Sequence, residues 1–212
     1  VVGEYTSQSV MEDLDFARKM VKHSTRGHMH FDQQVRGMIE RRKYLLNYLE
    51  TAMKDSKLDV WYQPIFCMGT NQFCSAEALV RLRDRDGSFI PPDEFLPVAT
   101  DGGMIQQLTE FVIDRVCGFL AENKDLDIDN ISVNLTMQQF MQGDFPTWLA
   151  GKCAEHGISQ RKLGLEVTER MIDSQEPAEI EVLERLRQGD YLFLLDDFGT
   201  GYSNLQKALH QP

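Results

Sequence analysis

The sequence is poor in cysteine, in basic charge and in long apolar runs, and each shortage removes a class of function. Its four cysteines, Cys67, Cys74, Cys117 and Cys153, are scattered without a Cys-x-x-Cys pair. They read as reduced, mostly packed thiols of a cytosolic protein, not as a disulfide frame or a zinc site. The five histidines supply no His-Glu-x-x-His helix, and His28 and His30 sit in a polar stretch. Lys and Arg total 22 against 33 Asp and Glu, a formal net charge of −11. So acidic a chain lacks the basic stripe that a DNA or RNA duplex demands. A phosphate-bearing ligand stays within reach if metal cations invert the local field. No apolar run approaches the ~20 residues of a membrane span. The opening Val1-Val2-Gly3-Glu4 is neither a signal peptide nor a start, so the chain reads as beginning inside a longer polypeptide.

What remains, 42% hydrophobic and 26% charged, is the composition of an ordinary globular protein. Residues 9–22 read as a short helix capped by Ser9, with Val10, Leu14, Ala17 and Val21 on one face. From Gln33 to Lys54 apolar residues recur at helical spacing, predicting one long amphipathic helix. A linker between domains or a partner-facing helix explains it as well as packing on its own domain does. After Lys57 the pattern changes. Val60–Phe66, Ser75–Leu82, Ile131–Thr136, Leu163–Thr168 and Tyr191–Asp197 read as buried strands. Helical stretches at Gly103–Glu122, Phe145–His156 and Ala178–Gln188 alternate with them, which predicts a mainly parallel sheet covered by helices.

The chemistry lies at the strand ends. Glu77 stands within Ser-Ala-Glu-Ala-Leu-Val, Asn134 within Ile-Ser-Val-Asn-Leu-Thr and Glu166 within Leu-Gly-Leu-Glu-Val-Thr-Glu. Asp196 and Asp197 close Tyr-Leu-Phe-Leu-Leu-Asp-Asp. Taken singly, an Asp at a strand end is more often a helix cap than a ligand, and Asn134 alone reads as a turn former. Recurrence over several strands changes the balance, because unpaired carboxylates in apolar surroundings are costly. In an α/β barrel the carboxyl ends of the strands converge on one face. Carboxylates and an amide meeting there repel one another unless cations sit between them. Oxygen ligands of this kind suit Mg²⁺, Mn²⁺ or Ca²⁺, and a pair of such ions suits phosphodiester hydrolysis.

These residues also carry a family likeness. Tyr62-Gln63-Pro64-Ile65, Glu77-Ala78-Leu79-Val80-Arg81, Ile90-Pro91 through Phe95-Leu96-Pro97, Ser132-Val133-Asn134-Leu135, Leu165-Glu166-Val167-Thr168-Glu169 and Asp196-Asp197-Phe198-Gly199-Thr200-Gly201-Tyr202-Ser203 occur in the order of an EAL domain. The chain thus resembles the bacterial phosphodiesterases that linearise cyclic di-GMP. The resemblance implies a TIM-like (β/α) barrel and two Mg²⁺ or Mn²⁺ ions. It implies Glu77, Asn134, Glu166, Asp196 and Asp197 as metal ligands, with Glu77 and Asp197 also catalytic. Gln63, Leu79 and Arg81 take the place of residues that line the dinucleotide, Arg81 pairing a phosphate. Glu169, grouped with Glu77 and Asp197 as catalytic, matches the glutamate that steadies the loop Asp197–Ser203. Through that loop this family couples its metal site to dimer contacts, so a second copy of the chain is an expected partner.

Further expectations follow from the likeness. Ala17-Arg18-Lys19, Phe31-Asp32 and the following helix resemble the end of a GGDEF-type domain, without its cyclase loop. That divides the chain into 1–32 as remnant, 33–56 as linker helix and 57–212 as EAL domain. Leu82 and Thr100 stand where the family usually has Trp and Glu. A (β/α)₈ barrel takes ~250 residues, so 57–212 is expected to stop before closure, and the family's later Lys, Glu and Gln find no position. The competing function is a catalytically silent EAL domain that senses cyclic di-GMP. A protein kinase, which the triplet Asp197-Phe198-Gly199 could suggest, is excluded for want of a Gly-rich loop and a His-Arg-Asp motif.

Overall fold

A computed structural model describes residues 32–55 and 57–196, together with Met11, Leu14 and Arg18; for Glu169 and Arg170 it describes the backbone only. Met11, Leu14 and Arg18 are helical, in keeping with the helix expected over 9–22, the rest of which lies outside the described residues.

The first long element, α1 (Gln33–Lys54), keeps the bounds its periodicity predicts. Asp32 caps it, Oδ1 accepting from the backbone N–H groups of Gln34 and Val35 at 3.0 Å each. Leu45, Tyr48, Leu49 and Ala52 are buried against Leu58, Leu82, Ile90, Phe95 and Val98, forming a second core cluster. Arg41 pairs with Asp84 at 3.2 Å and Glu94 at 2.6 Å, and Arg42 with Asp101 at 3.1 Å. The helix therefore packs on the sheet domain.

Strands β1 (Leu58–Cys67) and β2 (Gln72–Arg83) form an antiparallel hairpin, and the short β3 (Phe89–Ile90) pairs with the end of β2. Helix α2 (Pro92–Asp101) follows, opened by a proline whose missing N–H costs nothing at that position. The sequence pattern leaves this segment unassigned, since Pro92 and Pro97 interrupt it. Helix α3 (Ile105–Glu122) leads to β4 (Asn130–Asn134), α4 (Met137–Phe140) and α5 (Phe145–His156). Then come β5 (Leu163–Thr168), α6 (Glu169–Ile172), α7 (Pro177–Gln188) and β6 (Leu192–Asp196). Strand β4 ends two residues before the predicted Thr136, because Thr136 is committed to a capping box with Gln139 that starts α4.

Among the described residues the sheet order is β1-β2-β4-β5-β6, with β2, β4, β5 and β6 parallel. This is a TIM-like α/β arrangement with an antiparallel hairpin at its start. One face is dry: Ala76, Ala78, Ile131, Val133, Leu163, Leu165 and Val167 pack against Val112, Val116, Cys117, Leu149, Cys153, Leu183 and Leu186. Period-two alternation then sends the intervening residues to the opposite, inner face.

Two of the cysteines depart from expectation. Cys67 and Cys74 are not reduced thiols but are joined in a disulfide, their Cα atoms 5.8 Å apart. Spacing in sequence conceals the pair, since Met68–Asn71 turn the chain and bring the two strand ends opposite each other. Cys117 and Cys153 are free and buried, as expected.

Candidate functional site

Parallel register decides which side chains meet. Glu77 lies opposite Ser132 across β2 and β4, Asn134 opposite Glu166 across β4 and β5, and Thr168 opposite Asp196 across β5 and β6. Residues two apart share a face, so Glu77, Ser132, Asn134, Glu166 and Asp196 all project from the inner face. Asn134 and Asp196 stand at the carboxyl ends of their strands, and Glu166 two residues before its own. The hairpin extends this row: Gln63 is registered with Glu77, Trp61 with Leu79 and Asp59 with Arg81. The described residues singled out in the sequence as metal ligands and as dinucleotide contacts thus occupy one continuous face.

Hydrogen bonds tie the rim together. The Asn134 amide donates to Glu77 Oε1 at 2.6 Å, and the Ser132 hydroxyl donates to Glu166 Oε1 at 2.5 Å. Glu166 is half-buried, and its carboxyl is held above the usual range. Desolvation is the main cause, with the Glu77 and Asp196 carboxylates raising it further, while hydrogen bonds from Ser132 and Asn134 oppose the shift. The mutual repulsion matters most for function. Glu166 feels the charge of both neighbours, which a bound cation would relieve.

Arg81 lies over the Trp61 ring, 5.5 Å from its centroid, and donates to its neighbour's carbonyl, Val80 O, at 3.0 Å. Trp61 in turn meets Phe89 edge to face at 5.1 Å. A cavity of about 130 Å³ opens beside the rim, and its lining includes Leu79, Arg81, Thr109 and Asn134. Gln63 stands apart from that cavity, exposed, across the hairpin from Glu77.

Other expected residues are not brought in. Asp197 and the loop to Ser203 lie outside the described residues, and of Glu169 only the backbone, at the start of α6, is described. Among the described residues no group of three or more His, Cys, Asp or Glu closes to metal-binding distance. The donor set on the inner face is three carboxylates and an amide, and oxygen donors of that kind fit Mg²⁺ or Mn²⁺. Sequence reasoning missed Ser132 and Trp61. Parity of position with Asn134 and Gln63, respectively, was the signal available for each.

Oxygen-bearing side chains on a mainly parallel, helix-covered sheet fit an α/β protein of the barrel class, with its site toward the strand ends. The chain belongs to the EAL domain family, whose profile matches residues 46–212, beginning inside α1. It is 32% identical over 157 residues to the cyclic di-GMP phosphodiesterase PdeL of Escherichia coli, covering 73% of this chain and 43% of that protein. It is 30% identical over 207 residues to the bifunctional diguanylate cyclase/cyclic di-GMP phosphodiesterase MucR of Pseudomonas aeruginosa, covering 94% of this chain and 30% of that protein. A solved PaMucR phosphodiesterase–c-di-GMP complex superposes with a TM-score of 0.72 at 32% identity, covering 80% of this chain and 69% of that one. Against these and other curated relatives the chain spans 19% to 43% of their length. Among the described residues no helix is long and apolar enough to cross a membrane.

Proposed function

We propose that this chain is the phosphodiesterase part of a signalling protein and hydrolyses cyclic di-GMP to linear pGpG with the help of Mg²⁺ or Mn²⁺. The observation that carries the reading is the arrival of Glu77, Asn134, Glu166 and Asp196 from four parallel strands on one face. These four, together with Asp197, would hold the metal. Such ions lower the pKa of a bound water and stabilise the leaving oxygen of a phosphodiester. The chain's own residues supply placement. Arg81 offers a cation for a phosphate, Leu79 shares its cavity, and Gln63 extends the row beside Glu77.

The same reading takes residues 1–32 as the end of a GGDEF-type domain, supported by an alignment to the bifunctional MucR over 207 residues. It also takes the working protein as cytoplasmic, pairing with a second copy through the EAL domain.

The test is incubation of the protein with cyclic di-GMP and Mn²⁺, followed by chromatography of the nucleotides. Appearance of pGpG that chelation abolishes supports the reading. Saturable binding of cyclic di-GMP with no product identifies a sensor instead and overturns the hydrolase assignment.

A further inference from the structure

Ser132 plays no part in the ligand set, yet it makes a short hydrogen bond to the half-buried Glu166. The serine is 0% exposed, in the middle of β4, where an apolar side chain would satisfy the packing at lower cost. Its hydroxyl donates to Glu166 Oε1 at 2.5 Å, while Ala76 O, also within reach, is 3.4 Å away. The shorter and charge-assisted bond takes the single hydroxyl proton. Register explains the meeting. Ser132 is paired with Gly164, and Glu166 follows Gly164 by two residues on the same face. Gly164 keeps that space open: a Cβ added there would lie 3.1 Å from Ser132 Cβ.

We infer that Ser132 is a positioning residue, which commits Glu166 Oε1 and so presents the rest of that carboxylate to a divalent cation. The inference rests on the reading of Glu166 as a metal ligand. Partners of this kind, which touch a ligand and not the metal, typically alter metal affinity ten- to hundredfold when removed. A purely structural hydroxyl would act on folding instead.

The experiment compares the protein with its Ser132→Ala and Ser132→Thr variants by Mn²⁺ titration calorimetry, with metal-free melting of each. The alanine variant is expected to bind Mn²⁺ at least about tenfold more weakly, with its metal-free melting little changed. The threonine variant keeps the hydroxyl, so its affinity is expected to return to near the parent value. If the parent binds Mn²⁺ and the alanine variant binds as well, the positioning role falls and the metal site stands. Equal weakness in both variants, or a loss of affinity matched by an early metal-free unfolding, overturns the role as well. If the parent itself takes up no Mn²⁺, the metal-site reading fails, and this inference with it.

Discussion

The Asn134 side chain reaches from β4 to β2 and donates to Glu77 Oε1 at 2.6 Å, joining two strands whose ladder on β2 runs only from Ser75 to Ala78. Asn134 thereby holds one carboxylate, and its amide also opposes the upward pKa shift of a second, Glu166. Replacing it with alanine leaves Glu77 without that donor and removes the neutral oxygen proposed as a metal ligand. The Asn134→Ala variant is expected to bind Mn²⁺ at least about tenfold more weakly and to lose pGpG formation in proportion. Calorimetry and nucleotide chromatography on the same preparations check both.

Glu166 gives a prediction of opposite sign for two states of one protein. Desolvation and the nearby Glu77 and Asp196 charges disfavour its ionised form, so at neutral pH the carboxylate works against the metal-free fold. Glu166→Gln removes that charge. Solvent screens a half-exposed group, which holds the relief to ~1 kcal/mol at most. Metal-free melting is then expected to rise by up to about 2–4 °C, while the stabilisation that Mn²⁺ gives the parent disappears. Thermal melts with and without Mn²⁺ measure both changes. A metal-free variant that melts lower than the parent contradicts the repulsion described here.

Much of the scaffold is legible in the sequence because its signals are local. Strand β5 and helices α1 and α5 begin and end where their patterns do, since Asp32 caps α1 and Gly157, at φ 63°, ends α5 in the left-handed conformation. The parallel run is legible from its alternation with helices, but the antiparallel start is not. A run such as β1 carries no mark of its partner, and its antiparallel pairing with β2 depends on the short turn at Met68–Asn71. Helix α2 escapes because Pro92 and Pro97 look like breaks, although Pro92 occupies the first turn. The site's carboxylates stand out as polar residues in apolar strands. Ser132 does not, because a small hydroxyl in a strand looks ordinary until its neighbour across the sheet is known.

Asp84 links α1 to the end of β2 and sets an acid limit on stability. It accepts from the Tyr44 hydroxyl, from Arg41 Nη1 at 3.2 Å and from the Arg85 backbone N–H at 2.7 Å. The Tyr44 bond foremost, with help from Arg85 and Arg41, holds its carboxyl below the usual 3.8. A depressed carboxylate stabilises the fold above its unfolded pKa and loses that contribution as pH falls through the lower folded value. Urea midpoints are therefore expected to fall on the acid side of 3.8 in the parent, and less steeply in Asp84→Asn, which starts from a lower plateau.

The Cys67–Cys74 bridge closes a short loop at the hairpin tip. Chain-entropy reasoning for a loop of this size gives about 2.5 kcal/mol of stabilisation. Reduction, or the Cys67→Ser/Cys74→Ser pair, is expected to lower the urea midpoint correspondingly. Cys117 and Cys153, both buried, should resist alkylation in the folded protein. Thiol counting by mass spectrometry before and after reduction distinguishes the two sets.

The hairpin has one more consequence, for evolution of the sequence and for its engineering. Gln63 and Glu77 face the same way only because β1 and β2 hold a single alignment, already interrupted by a bulge between Ile65 and Phe66. An insertion or deletion of one residue between that bulge and Glu77 would turn the glutamate toward Val112 and Val116, under the helices. Length changes in this segment should thus be tolerated in pairs, or confined to the turn beyond the cystine.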